Sequence, residues 1–248
     1  MGGTLDTELH VRVVEEVVVI SWCVRFSVIV VTNSVLCVPI YAWCHQESEP
    51  VTEARTRPEQ GDPSGQFNLG VMYATGQDVP EDFVEAVRLY RLAASQGHEG
   101  AQNNLGLMYA SGRGVAQNFA EAVRLYRLAS ENGHSGAQNR LGLMYATGRN
   151  VPQDFTEAVR LYRLAADQGH YAAHHNLGRM YLTGRGVPQD DILAYICFDL
   201  AVLQATNEHA RTIAGRSRDE VAQRLTLVQR LEAQTRSDQK YAVLQGKQ

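Results

Sequence analysis

Three histidines, His98, His134 and His170, recur 36 residues apart, and His174 follows the last by four. Imidazole binds metals and moves protons near neutral pH, so their chemistry is the first question. Each of the three follows a glycine (Gly97, Gly133, Gly169) that ends a helical pattern. Copies one period apart sit one packed layer apart, about 10 Å, whereas a zinc ligand lies about 2 Å from its ion. They are too far apart to share a metal, and a turn role at the next helix start is the simpler reading. His170 and His174 have i, i+4 spacing, but no cysteine or acid is placed to complete a coordination shell. No metal is expected.

Other chemistries are equally bare. Gly-Arg-Gly at 112–114 lacks the Gly-Lys-Ser/Thr that would make a phosphate loop. The cysteines Cys23, Cys37, Cys44 and Cys197 form no pairs within repeats, so no disulfide framework is expected. No Ser/His/Asp or Cys/His set can be assembled from these positions. Glu85/Arg88, Glu121/Arg124 and Glu157/Arg160 are i, i+3 pairs suited to a solvated helix face. Arg91, Arg127 and Arg163 recur on the same helices, and the interleaved glutamates argue against a basic stripe. Tyr73, Tyr109, Tyr145 and Tyr181, with Tyr90, Tyr126 and Tyr162, share helical spacing with Leu and Ala and are read as core. No catalytic residue and no cofactor is expected.

The elements that carry these residues form a repeat. Leu-Gly pairs at 69–70, 105–106, 141–142 and 177–178 set a period of 36, the signature of a solenoid. Each unit reads as two helices. The first, roughly Gln102–Ser111 in the second unit, has Leu105, Met108 and Tyr109 on one stripe and an interior Gly106. A costly mid-helix glycine that keeps returning marks a close approach of the partner helix. The loop positions Asp78, Gly114, Asn150 and Gly186 are residue types that tolerate positive φ. Asp82, Asn118, Asp154 and Asp190 cap the second helix, and Glu85, Glu121 and Glu157 three residues later predict a capping box. One hairpin cannot bury its own apolar face, so stacking is required.

The pattern A-x-x-x-L-G-x-M-Y-x-x-G-x-G-V-x-x-[DN]-x-x-x-A-V-x-L-Y-x-x-A resembles the Sel1-like repeat, a relative of the tetratricopeptide repeat with a longer interhelical loop. The resemblance covers about 65–204, with units near 65–100, 101–136, 137–172 and 173–208. The last unit departs from it: Tyr195, Ile196, Cys197 and Phe198 replace Val-Arg-Leu-Tyr. It implies an all-α, α/α solenoid: a superhelix of four helix hairpins plus C-terminal capping helices. Members act mostly as non-enzymatic adaptors. Some cysteine-rich secreted relatives bind or cleave β-lactams, an alternative weakened here by the missing cysteine pairs. In such solenoids the first helices line the concave side, where tetratricopeptide relatives bind peptides. Residues just before the Leu-Gly pair then face the groove, together with Arg179: Asn68, Asn103, Asn104, Asn139, Arg140, His175, Asn176. Amide side chains both donate and accept and can pair with a peptide backbone, and Arg140 and Arg179 can hold a carboxylate. The expected partner is a protein or peptide segment.

Net charge is −4 over 248 residues, with lysine only at Lys240 and Lys247, so nothing favours nucleic acid. The flanks differ from the repeats. Residues 1–44 end in an apolar stretch, and Phe26–Cys44 carries no charge. It reads as a membrane anchor, as an export signal cleaved after Ala42, or as a Val-rich soluble strand segment. A translation start at Val24 would give the signal a short basic n-region. Asp6 occupies the position where myristoylation needs Ser or Thr. Residues 45–64 read as a polar linker, with Asp62-Pro63 a helix start. Residues 205–248 read as capping helices, His209–Leu225 and Thr226–Arg236, with apolar Ile213, Val221, Leu225, Leu227, Val228 and Leu231 and a frayed tail from Ser237. The combined expectation is a bacterial cell-envelope scaffold, periplasmic or membrane-associated through residues 17–44. A cytosolic adaptor is the alternative if that segment is not a targeting sequence.

Overall fold

The computed structural model describes residues 13–14, 17–20, 28–31, 34–36 and 61–246. The chain divides into two units, 1–53 and 54–248. The first contains β1 (Val13–Val14), β2 (Val17–Ile20), β3 (Val28–Val31) and β4 (Ser34–Leu36), antiparallel in chain order. Val19 pairs with Ile29 and Val30 with Val35, so β-branched residues supply the ladder. Over β3 and β4, within the Phe26–Cys44 stretch, the backbone is strand. The remaining residues of that stretch, including the cleavage position at Ala42, and the linker up to residue 60 lie outside the described residues. No helix among the described residues is long and apolar enough to cross a membrane.

The second unit is helical. Four hairpins follow one another: α1 (Pro63–Thr75) with α2 (Phe83–Ser95), α3 (Glu99–Ser111) with α4 (Phe119–Glu131), α5 (Ser135–Thr147) with α6 (Phe155–Ala166), and α7 (Tyr171–Thr183) with α8 (Asp191–Leu203). Two further helices, α9 (Glu208–Ala222) and α10 (Leu227–Gln245), pack on α8. Each hairpin also packs on the next, through α2 and α3, α4 and α5, and α6 and α7.

Each hairpin closes on one contact. A Cβ added at Gly70, Gly106, Gly142 or Gly178 would stand 2.8 Å from a ring carbon of Tyr90, Tyr126, Tyr162 or Phe198 respectively. The recurring glycine therefore admits a buried aromatic ring from the second helix. The second helices bury Ala86, Val87, Leu89, Tyr90 and Ala93, and the same set one period on. Each fully buried Leu or Val contributes about 1.5–3 kcal/mol. Asp78 and Asn150 do adopt left-handed φ, 60° and 63°, beside Gly114 and Gly186.

Caps set the helix starts. Asp82, Asn118, Asp154 and Asp190 accept from the third backbone N–H of their helices at 2.8–3.1 Å. The reciprocal half of the capping box predicted at Glu85, Glu121 and Glu157 is absent. The N-cap N–H of each of the four helices already donates to the carbonyl of Tyr73, Tyr109, Tyr145 or Tyr181 at 2.9–3.0 Å. The glutamates turn instead to Arg88, Arg124 and Arg160 at 2.6–2.7 Å. From the second hairpin on, the first helices start three residues earlier than read from sequence, because His98, His134 and His170 are their N-caps; α1 starts at Pro63 behind Asp62, as read. Each Nδ1 accepts from the N–H three residues on, at 3.1–3.3 Å. No group of three or more potential metal ligands clusters among the described residues.

Arginines join the hairpins. Arg91, Arg127 and Arg163 donate to the hydroxyls of Tyr109, Tyr145 and Tyr181 in the next unit, at 2.9–3.3 Å. In the fourth hairpin the same position is Asp199, which is buried. It accepts from Ser237 at 2.7 Å and from Gln234 and Arg218 at 3.0 Å. This cluster corrects the reading of the C-terminus. The chain beyond Ser237 continues as helix to Gln245, and small Ala233 and Ser237 let α10 lie close on α8. Leu227, Val228 and Leu231 point outward at 65 %, 74 % and 61 % exposure, and Ile213 is also exposed.

A second series links the hairpins through amides: Gln96 to Gln66 at 2.8 Å, Asn132 to Gln102 at 3.1 Å, Gln168 to Gln138 at 2.9 Å. The fourth pair is Gln204 and His174. His174 is wholly buried, and neither ring nitrogen makes a well-formed hydrogen bond, although Gln204 stands beside it. Burial pushes its pKa down to about 4.

Three predictions follow from this packing. Gly142→Ala forces a methyl into the Tyr162 ring and should cost about 1–3 kcal/mol, read as a lower urea midpoint. Gly215→Ala, where the nearest atom is Val202 Cγ2 at 4.0 Å, should gain about 1 kcal/mol. His174 binds its proton less tightly folded than unfolded, so its contribution is complete above the unfolded pKa near 6.5 and is lost as pH falls toward 4. That loss is on the order of 3 kcal/mol. His134, His170 and His175 are lowered by burial as well and add slope of the same sign. His174→Gln restores the amide pair and should flatten the pH dependence of the unfolding midpoint between pH 6.5 and 4.

Candidate partner-binding face

The predicted contact residues all lie on first helices: Asn68 on α1, Asn103 and Asn104 on α3, Asn139 and Arg140 on α5, and His175, Asn176 and Arg179 on α7. A helix start fixed by a side-chain cap (Asp62 on α1, His98, His134 and His170 on the others) and a helix end fixed by a left-handed glycine (Gly76, Gly112, Gly148, Gly184) hold them in register. Asn68, Arg140 and Arg179 are exposed; Asn104, Asn139, His175 and Asn176 are half-buried.

Asn103 is set apart from them. It is 7 % exposed, and its Nδ2 donates to Asn104 Oδ1 at 3.1 Å. It falls on the edge of the buried stripe that runs through Gly100, Leu105 and Gly106, so it shapes Asn104 and offers little surface itself.

Two of the remaining amides bond across helices. Asn176 Nδ2 donates to Asn139 Oδ1 at 3.0 Å, tying α7 to α5. Asn104 lies at the hydroxyl of buried Tyr90, where it offsets part of the rise in that group's pKa. His175 packs its ring on Phe198 at 5.3 Å and meets Ser217 of α9 at 3.3 Å. It is therefore committed to the cap, and its pKa is lowered by burial and by the nearby Arg179.

Both arginines stand free of acid partners closer than an ion pair among the described residues, and their field is felt on this face. Arg140 works against the burial-raised pKa of Tyr126 and lowers those of His134 and His170. Arg179 does the same for Tyr162. The face offers amide donors and acceptors with two guanidinium groups. That is binding chemistry: it can pair with a peptide backbone and a carboxylate.

The Asp199 cluster was missed in the sequence, although the repeat register carries its signal: Asp199 falls where Arg91, Arg127 and Arg163 stand.

The Sel1 repeat family matches residues 63–98, 100–134, 135–170 and 172–205. Among solved structures, the chain is similar to a protective antigen present in uropathogenic Escherichia coli strains, which displays an SLR fold. The identity is 35 %, the TM-score 0.59, and the match covers 64 % of this chain and 34 % of that one. It is also similar to a Sel1 repeat protein from Oxalobacter formigenes, at 32 % identity and a TM-score of 0.59, over 65 % of this chain and 62 % of that one. The chain thus spans less than two thirds of either relative. No curated protein sequence matches it. Four matched units, each closed by an aromatic ring on a glycine, place the chain in the Sel1 repeat family, whose helical scaffolds are typically protein-interaction modules.

Proposed function

We propose that the protein is a non-enzymatic scaffold that binds an extended segment of a partner protein in the groove formed by its first helices. The observation that carries this is the amide pair Asn139 and Asn176, with Asn104 at the equivalent place on α3 and Arg140 and Arg179 exposed beside it. Helices stacked at a fixed period present such groups at regular intervals, matching a chain laid along them. The preformed hydrogen bond between Asn139 and Asn176 reduces the ordering cost on binding. The arginines select a segment with a carboxylate near its Asn-paired stretch.

We place this activity in the bacterial cell envelope, reached through the apolar N-terminal stretch. A similar protein that serves as a protective antigen in uropathogenic strains is in keeping with that location.

Crosslinking pull-down from native cells tests the groove. Wild type should retain a partner that the folded variant Asn104→Ala/Arg140→Ala/Asn176→Ala loses. Retention of the same partner by the triple variant would move the site elsewhere. Turnover of nitrocefin by the purified protein would overturn the non-enzymatic reading. Recovery of the intact chain in the cytoplasmic fraction would overturn the envelope location.

A further inference from the structure

Between α6, α7, α8 and α10 lies a cavity of about 310 Å³, at the lower end of the range for small-ligand sites. It arises where the fourth hairpin departs from the repeat. The equivalent groove of the second hairpin is lined by Glu121 and Arg124, which close on each other at 2.6 Å. One and two periods later the series Glu157/Arg160 gives way to Leu193/Ile196, so the floor loses its ion pair and becomes apolar. Leu177, Cys197 and Leu200 complete that floor. Burial pushes the Cys197 thiol up to about 12, so it stays neutral and serves as an apolar surface.

The rim is cationic. Arg163 comes from α6, and α10 adds Arg236 and Lys240, against the single carboxylate of Asp167. Lys240 is matched to Asp167 at 3.4 Å. Arg163 donates to a neutral group, the Tyr181 hydroxyl, at 2.9 Å. Arg236 reaches Glu232 only at 3.6 Å in a solvent-exposed pair, a kind that contributes little. An apolar floor of this size with excess positive charge at its mouth complements an anion with a hydrocarbon body.

We propose that this cavity binds a small apolar monocarboxylic acid, its chain against Leu193, Ile196 and Cys197 and its carboxylate toward the Arg163 and Arg236 rim. The site is separate from the amide face and does not depend on it. Among the described residues, the other hairpins keep the Glu–Arg pair in the equivalent groove and lack the α10 roof.

Isothermal titration of the full chain with octanoate tests this. One saturable site per chain is expected, with octanol and octylamine binding at least about tenfold more weakly. Arg163→Gln/Arg236→Gln, with its helical circular dichroism retained, should weaken octanoate by about tenfold or more. Arg236→Gln alone changes only an exposed side chain and should give a smaller loss of the same sign. No saturable binding, equal binding of octanol, or undiminished binding by Arg236→Gln would overturn the proposal. An N-acetylated tripeptide ending in leucine separates a free acid from a chain end; tighter binding of the peptide than of octanoate would overturn the assignment to a free acid.

Discussion

An aromatic ring lying on a bare helix backbone is the contact on which every hairpin depends. Tyr90, Tyr126, Tyr162 and Phe198 each occupy the space a Cβ would take on the opposing first helix. The contact fixes how near the two helices come and therefore where the rest of each helix points. Glycine inside a helix is unfavourable by roughly 1 kcal/mol, and burial of a whole aromatic side chain offsets it. Because the ring approaches the inner side of the first helix, the amides that precede the glycine are left at the edge of the contact. The proposed binding face is thus a by-product of core geometry.

The array also has to stop. Through three hairpins an arginine reaches forward to the next unit's tyrosine. In the fourth, Asp199 stands in its place and gathers Ser237, Gln234 and Arg218 from the capping helices. A buried carboxylate is expensive unless its lone pairs are met, and three donors meet them here. The reversed charge offers no donor to a fifth tyrosine, so the junction now selects a cap. Leu193 and Ile196 share in that change, since α8 is covered on a side that α4 and α6 leave to their exposed Glu–Arg pairs.

Most of the repeat architecture was legible because it rests on local chemistry repeated at a fixed period. The Leu-Gly spacing, the Asp/Asn caps and the left-handed loop positions follow from residue type and neighbours alone. The histidine caps were less visible, since imidazole is an unusual N-cap acceptor and its Nδ1 competes with other roles in any sequence reading. The missing reciprocal capping contacts were not legible, because the carbonyls that displaced them come from Tyr73, Tyr109, Tyr145 and Tyr181 in another helix. The same holds for α10, where apolar Leu227, Val228 and Leu231 lost the inward face to small Ala233 and Ser237. At the candidate face, sequence placed the residues on the right helices. It did not reveal that Asn103 is spent internally or that Asn139 and Asn176 bond to each other.

The Arg–Tyr junctions have a consequence for how such a chain changes over generations. Arg91 meets Tyr109 as Arg163 meets Tyr181, and the amide pairs beside them match in the same way. A duplication or loss of one 36-residue unit between them would therefore join surfaces that already fit. The gene can lengthen or shorten the molecule in whole units without redesigning an interior, and the reach of its recognition surface becomes a countable, heritable quantity.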